Sequence, residues 1–206
     1  MHDRQPNFAL EPLGPHSHTL VVKDAGGVSG IRSHTPSSVI NLRIGLKLRD
    51  ILQKAGYCTK MTRTKQTGVS LGNRARARIA NQAHAALFVR ISCDGNTNHS
   101  VHGTSTLYPK RHNGWTDDIL PASKNAAHDI QSSLVAALGS KDRGTQKRGD
   151  VTGFNWSNVP VVLAEVGFLT NRGDDRLLNQ ASYQQRAAQG IANGIMKFVP
   201  PPVPTP

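Results

Sequence analysis

Strand-length apolar runs alternate along this chain with segments of helical spacing, and few folds accommodate that alternation. The clearest run is VPVVLAEVGF at 159–168, followed by SYQQRAAQGIANGIMKFV, which reads as a closing helix. Upstream, ALFVRIS predicts a buried strand after the helical SLGNRARARIANQAHA, where Ser70 is a candidate cap. In SVINLRIGLKLRDILQKAG, Ile40, Ile44, Leu48, Ile51 and Leu52 share one helical face. Pro36 and Ser37 suit its start and Gly56 its end. TLVVKDAGG predicts a first strand closed by a glycine turn, YCTKMTR a short strand, and GTSTLYP a strand rich in Thr and Tyr. ASKNAAHDIQSSLVAALG predicts a further helix. The expectation is a single α/β domain over residues 19–199, with a largely parallel twisted sheet and helices on both faces. Residues 1–18 read as a flexible lead-in, and PPPVPTP at 200–206 as a Pro-rich tail or linker.

Two positions in this pattern carry chemical interest. Glu165 is a carboxylate near the end of a core strand, where burial without a partner is costly. It is either catalytic or a strand-end group in solvent or in an ion pair. Ser92 stands where a buried strand leaves the sheet, the place where open α/β sheets carry their sites. Alone, a serine hydroxyl is a weak metal ligand and a weak nucleophile, and no GxSxG elbow surrounds it. Cys93 as a nucleophile would need a histidine beside it. With two cysteines, Cys58 and Cys93, and no CxxC, a cysteine-rich zinc site is excluded. His84, His99, His102, His112 and His128 show no HxH or HxxxH ligand spacing and read as surface or satisfied side chains.

The net charge of +12 favours anionic partners, namely nucleic acid, anionic lipid or an acidic wall polymer. A basic protein without a polyanion partner has the same composition. Aromatic residues make up 5% of the chain, too few for stacking platforms, so nucleic acid ranks second as a partner. No apolar run approaches the ~20 residues of a membrane helix. The first twenty residues lack the charged-then-apolar pattern of a signal peptide.

Three stretches, in order and spacing, resemble the zinc-dependent N-acetylmuramoyl-L-alanine amidases of bacterial cell-wall metabolism. INLRIGLKLRDILQKAGYCTKMTR looks like that family's first helix and second strand. SLGNRARARIANQAHAALFVRIS is similar to its SLxxRxxxANxAxADLFVSIH stretch. RGDVTGFNWSNVPVVLAEVGFLTN resembles its closing motif. The resemblance implies an amidase-like fold and a single zinc ion held by two histidines and a glutamate. It further implies a second glutamate as general base, at Glu165 here, and cleavage of the bond between muramic acid and L-alanine.

Carried over residue by residue, the ligand places are filled otherwise. The first histidine falls at Gly27, after Asp24, Ala25 and Gly26. The ligand glutamate falls at Ser37, and no Asp or Glu lies between Gly26 and Asp50 to take its role. The second histidine falls at Ser92. Glycine offers no side-chain ligand, and neutral hydroxyls compete poorly with imidazole or carboxylate. His34, Cys93 and Asp94 are weak substitutes, and Lys23 or Arg90 is a candidate for replacing the missing charge beside Glu165. The expectation is therefore a zinc-less, impaired amidase relative that binds peptidoglycan or another anionic wall polymer, in the periplasm or outside the cell, with no cofactor. An active amidase with substitute ligands and a basic scaffold or nucleic-acid binder are the alternatives.

Overall fold

The computed structural model describes residues 6–66, 68 and 70–201. Four strands form the central sheet: β3 (Phe88–Asp94), β4 (Thr104–Pro109), β5 (Asp142–Arg148) and β6 (Val161–Phe168), in the order β3-β6-β4-β5. β3 runs parallel to β6 and β4 parallel to β5, while β4 and β6 are antiparallel. The sheet is therefore mixed, with two of its three pairings parallel.

Alternation along the strands sorts their side chains onto two faces. Val89, Ile91, Cys93, Val162, Ala164 and Val166 face one apolar cluster. Helices α1 (Ser37–Lys54), α3 (Leu120–Leu138) and α6 (Ala181–Phe198) cover it. Phe88, Val161, Leu163 and Leu107 face the other cluster. There α2 (Asn73–Gln82) contributes Ala77 and Ala80, and the short α4 (Thr152–Asn155) contributes Phe154. Helices thus lie on both faces, as the alternation predicts. Helix α6 approaches α3 closely: a methyl group at Gly194 would stand 2.4 Å from the Ile130 Cα, and one at Gly190 would stand 2.9 Å from the Leu134 Cα.

Several segments differ from the sequence reading, each for a physical reason. Residues 7–12, read as lead-in, form β1 (Asn7–Pro12), which pairs antiparallel with β2 (Leu20–Asp24). That pair is a separate two-stranded sheet, so the expected first strand lies outside the central one. The Trp156 indole N–H donates to the Pro12 carbonyl at 2.9 Å and ties the hairpin to the domain. YCTKMTR forms no strand. Side-chain bonds hold it instead: the Tyr57 hydroxyl donates to the Val199 carbonyl at 2.5 Å, and Arg63 donates to the Ser38 carbonyl at 2.6 Å. β5, DRGTQKR, has no apolar alternation because it is an edge strand, where charge guards against further pairing. The last helix before α6 is α5 (Arg172–Leu178), capped by Asn171, whose side chain accepts from the Gly173 and Asp174 amides. Of the Pro-rich tail, residues 202–206 lie outside the described residues, as do 1–5 of the lead-in.

Candidate functional site

Register brings three polar residues into one row. Ser92 of β3 and Ser105 of β4 flank Glu165 of β6 as its cross-strand neighbours. The Ser105 hydroxyl donates to Glu165 Oε2 at 2.5 Å, and Glu165 is 9% exposed. Burial pushes the Glu165 carboxyl above its ordinary value. The Ser105 hydrogen bond opposes that push, the Asp94 charge adds to it, and Arg148 and Arg143 oppose it.

Beside this row lies a cavity of about 660 Å³ whose wall includes Asp24, Gly27, Ser37, Asn73, Arg90 and Ser92. The three places read from the sequence as ligand positions therefore share one cavity. Gly27 and Ser37 are immediate neighbours: a Cβ at Gly27 would stand 2.1 Å from the Ser37 hydroxyl. The Ser37 amide donates to the Val28 carbonyl at 2.8 Å, which holds the start of α1 against the loop after β2. Asp24 closes one side, in a 2.6 Å ion pair with Arg76 and in a hydrogen bond from Ser70. Glu11 of β1 caps α2, accepting from the Asn73 amide at 3.0 Å. The loop carrying His34 is anchored by Asp175, which accepts from the Arg32 and Ser33 amides at 2.9 Å each.

The substitute ligands are not brought together. Cys93 points into the core on the face opposite Ser92, and burial, then the charges of Asp174 and Asp94, push its thiol well up. A thiol kept protonated is a poor ligand and a poor nucleophile. His34 is exposed on its turn at φ 54°, and Asp94 accepts from the Gly95 amide at 2.8 Å. Among the described residues, no group of three or more His, Cys, Asp or Glu is placed to hold a metal ion. A glycine and two hydroxyls at the cavity do not fit a zinc ion.

Charge beside Glu165 also comes from elsewhere than the sequence reading placed it. Arg90 is buried, donates to the Asn73 side chain at 2.8 Å, and lies against Gly153 of α4. Burial, then the Arg76 charge, push it down to about 10, while Asp24 and Glu11 offset part of the shift. Lys23 packs its aliphatic part at Gly72. Neither cation pairs with Glu165; the cations that act on it are Arg148 and Arg143 of β5. Arg148 is itself held by Asp150 at 2.7 and 2.5 Å. Sequence reasoning missed Ser105, Arg143 and Arg148, since their proximity to Glu165 depends on strand register and on a strand without apolar signal.

The model of the N-acetylmuramoyl-L-alanine amidase family matches residues 18–197. The chain belongs to this family. It is 36% identical over 159 residues to the uncharacterized protein YqiI of Bacillus subtilis, spanning 77% of this chain and 72% of that one. It is 33% identical over 159 residues to the N-acetylmuramoyl-L-alanine amidase LytC of Bacillus subtilis, with 77% of this chain but 30% of LytC covered. The catalytic domain of the amidase CwlV from Bacillus (Paenibacillus) polymyxa var. colistinus superposes with a TM-score of 0.76 at 29% identity, covering 88% of this chain and 94% of that one. The amidase Ami1 of Mycobacterium smegmatis shares the fold, with a TM-score of 0.85 at 23% identity over 96% of this chain and 92% of Ami1. Amidase-family proteins are generally zinc-dependent, and among the described residues of this member no group of three or more His, Cys, Asp or Glu is placed to hold a metal ion.

Proposed function

We propose that this amidase-family protein binds bacterial peptidoglycan at the wall-facing side of the cell envelope and does not cleave it by the family's zinc chemistry. The observation that carries this reading is the cavity beside Glu165. Gly27, Ser37 and Ser92 line it where the resemblance assigns two histidines and a glutamate, while Glu165 stays in its row with Ser92 and Ser105. A carboxylate without an activated water has a proton acceptor's position and no nucleophile to serve. The groove remains as a binding surface, and the net charge of +12 suits the acidic polymers of the wall. The family points to peptidoglycan, and nothing in the site favours nucleic acid.

The test pairs two measurements on the purified chain. Equilibrium dialysis against zinc at neutral pH is expected to find well below one tightly bound ion per chain. Incubation with purified sacculi is expected to give retention that a chelator leaves unchanged, with no released stem peptide. One tight zinc together with chelator-sensitive peptide release would overturn the reading.

A further inference from the structure

A second cavity, of about 470 Å³, lies at the open edge of the central sheet. β3 ends the strand order, and the segment 57–62 that forms the cavity's other bank is no strand, so no ladder closes the space between them. Leu48 and Leu52 of α1, Ile79 of α2, Phe88 and Val89 of β3 and Ile195 of α6 form its apolar wall. Tyr57 and Val199 also line it, and the bond from the Tyr57 hydroxyl to the Val199 carbonyl pins that bank to the end of α6. Ser92, Ser105 and Glu165 take no part in the lining.

Water is a poor occupant for such a space, because apolar walls offer it too few hydrogen-bond partners. An apolar volume of this size with a few polar groups at its rim has the make-up of a small-molecule site. The rim here is basic. Lys60 and His84 both line the cavity and are both exposed, and among the described residues neither side chain has a hydrogen-bond or ion-pair partner. No Asp or Glu lines the cavity. An ammonium and an imidazole N–H with no carboxylate beside them favour an anionic head group, and charge-assisted hydrogen bonds to such a group are the strong kind. Leu48, Leu52 and Phe88 are buried. The apolar wall is therefore reached by a chain that enters past the rim, not by the flat face of a bilayer.

We propose that this cavity binds a free single-chain carboxylate of the fatty-acid type, with its chain against α1, β3 and α6 and its head group held by Lys60 and His84. The proposal goes beyond the wall-binding reading and stands apart from it, since the two sites share no polar row and the experiment below uses no wall material.

Decanoate, kept below its micelle concentration, and decanol are the probes. Titration calorimetry of the purified chain is expected to give one saturable decanoate site, with decanol roughly tenfold weaker, the difference a charge-assisted hydrogen bond makes. The double variant Lys60→Gln with His84→Gln changes two exposed positions and is expected to erase that preference. At a free decanoate concentration about a hundred times Kd, the wild-type melting temperature is expected to rise by about 5–10 °C. The place of binding is read at Cys58, which is exposed and lines this cavity, whereas Cys93 is buried. Its reaction with a maleimide is expected to slow as decanoate saturates. Absence of saturable decanoate binding overturns the proposal. Saturable binding that leaves Cys58 reactivity unchanged places the ligand elsewhere and overturns it too. Equal affinity for decanol, or a preference that survives the double variant, overturns the assignment of the head group to Lys60 and His84. Association with phosphatidylglycerol vesicles without binding of monomeric decanoate overturns the cavity site in favour of a lipid-surface contact. If the double variant fails to fold, the wild-type preference and the protection of Cys58 decide.

Discussion

Glu165 concentrates the electrostatics of this protein in a single side chain. Its carboxyl is raised by burial more than the Ser105 hydroxyl and the two β5 arginines lower it. A raised value means that the folded chain holds the proton to higher pH than the unfolded chain does. Stability from this group is therefore full below the ordinary glutamate value and declines as pH rises through the raised one. Glu165→Gln removes that dependence without changing the side chain's shape. The melting temperature of the variant, relative to wild type, is expected to be higher at pH 8 than at pH 4. Melting curves at the two pH values check this, and an equal difference at both would show that Glu165 titrates as in the unfolded chain. Little of this environment was legible in the sequence. The conspicuous carboxylate near the end of VVLAEVGF was visible, but Ser105 lies 60 residues away and reaches it through strand register alone. Lys23 and Arg90, the cations that strand position suggested, belong to the α2 side of the cavity.

At the scale of elements, pattern served well wherever burial was strong. β6 carries a nearly continuous apolar run because helices cover both its faces, and α1, α3 and α6 carry helical spacing because each buries one stripe. β5 escaped notice because DRGTQKR has no apolar side chain to bury, and YCTKMTR misled because alternation alone does not supply a ladder partner. Packing is close between α6 and α3, where Gly194 faces the backbone of Ile130. Alanine is favoured over glycine inside a helix by about 1 kcal/mol. Here the added methyl group would meet backbone atoms at 2.4 and 2.7 Å, which cannot move aside as a side chain tip can. The overpacking cost of about 1–3 kcal/mol outweighs the propensity gain. Gly194→Ala is expected to lower the melting temperature by about 3–6 °C, measured by scanning calorimetry. A neutral or raised value would show that the helices separate without strain.

The whole molecule carries its charge as a broad property, with 25 Lys and Arg against 13 Asp and Glu. Attraction of that kind reaches an acidic wall polymer over a distance that salt sets. Retention on purified sacculi is expected to fall steeply as salt rises from about 0.1 M to about 1 M, over which the screening length shrinks from ~10 Å to ~3 Å. Pelleting assays across that range would read it, and salt-independent retention would assign binding to short-range contacts alone.

The bond from the Tyr57 hydroxyl to the Val199 carbonyl also governs how the molecule bears load. It joins the last residue of the closing helix region to the segment that follows α1, so the chain's exit is moored at two points. A pull on the residues beyond Val199 is shared between the α6 packing on α3 and this side-chain tether to the far end of α1. Tension from a tethered C-terminal end would thus enter the fold near the β3 edge, away from the sheet end where Glu165 and Arg143 stand.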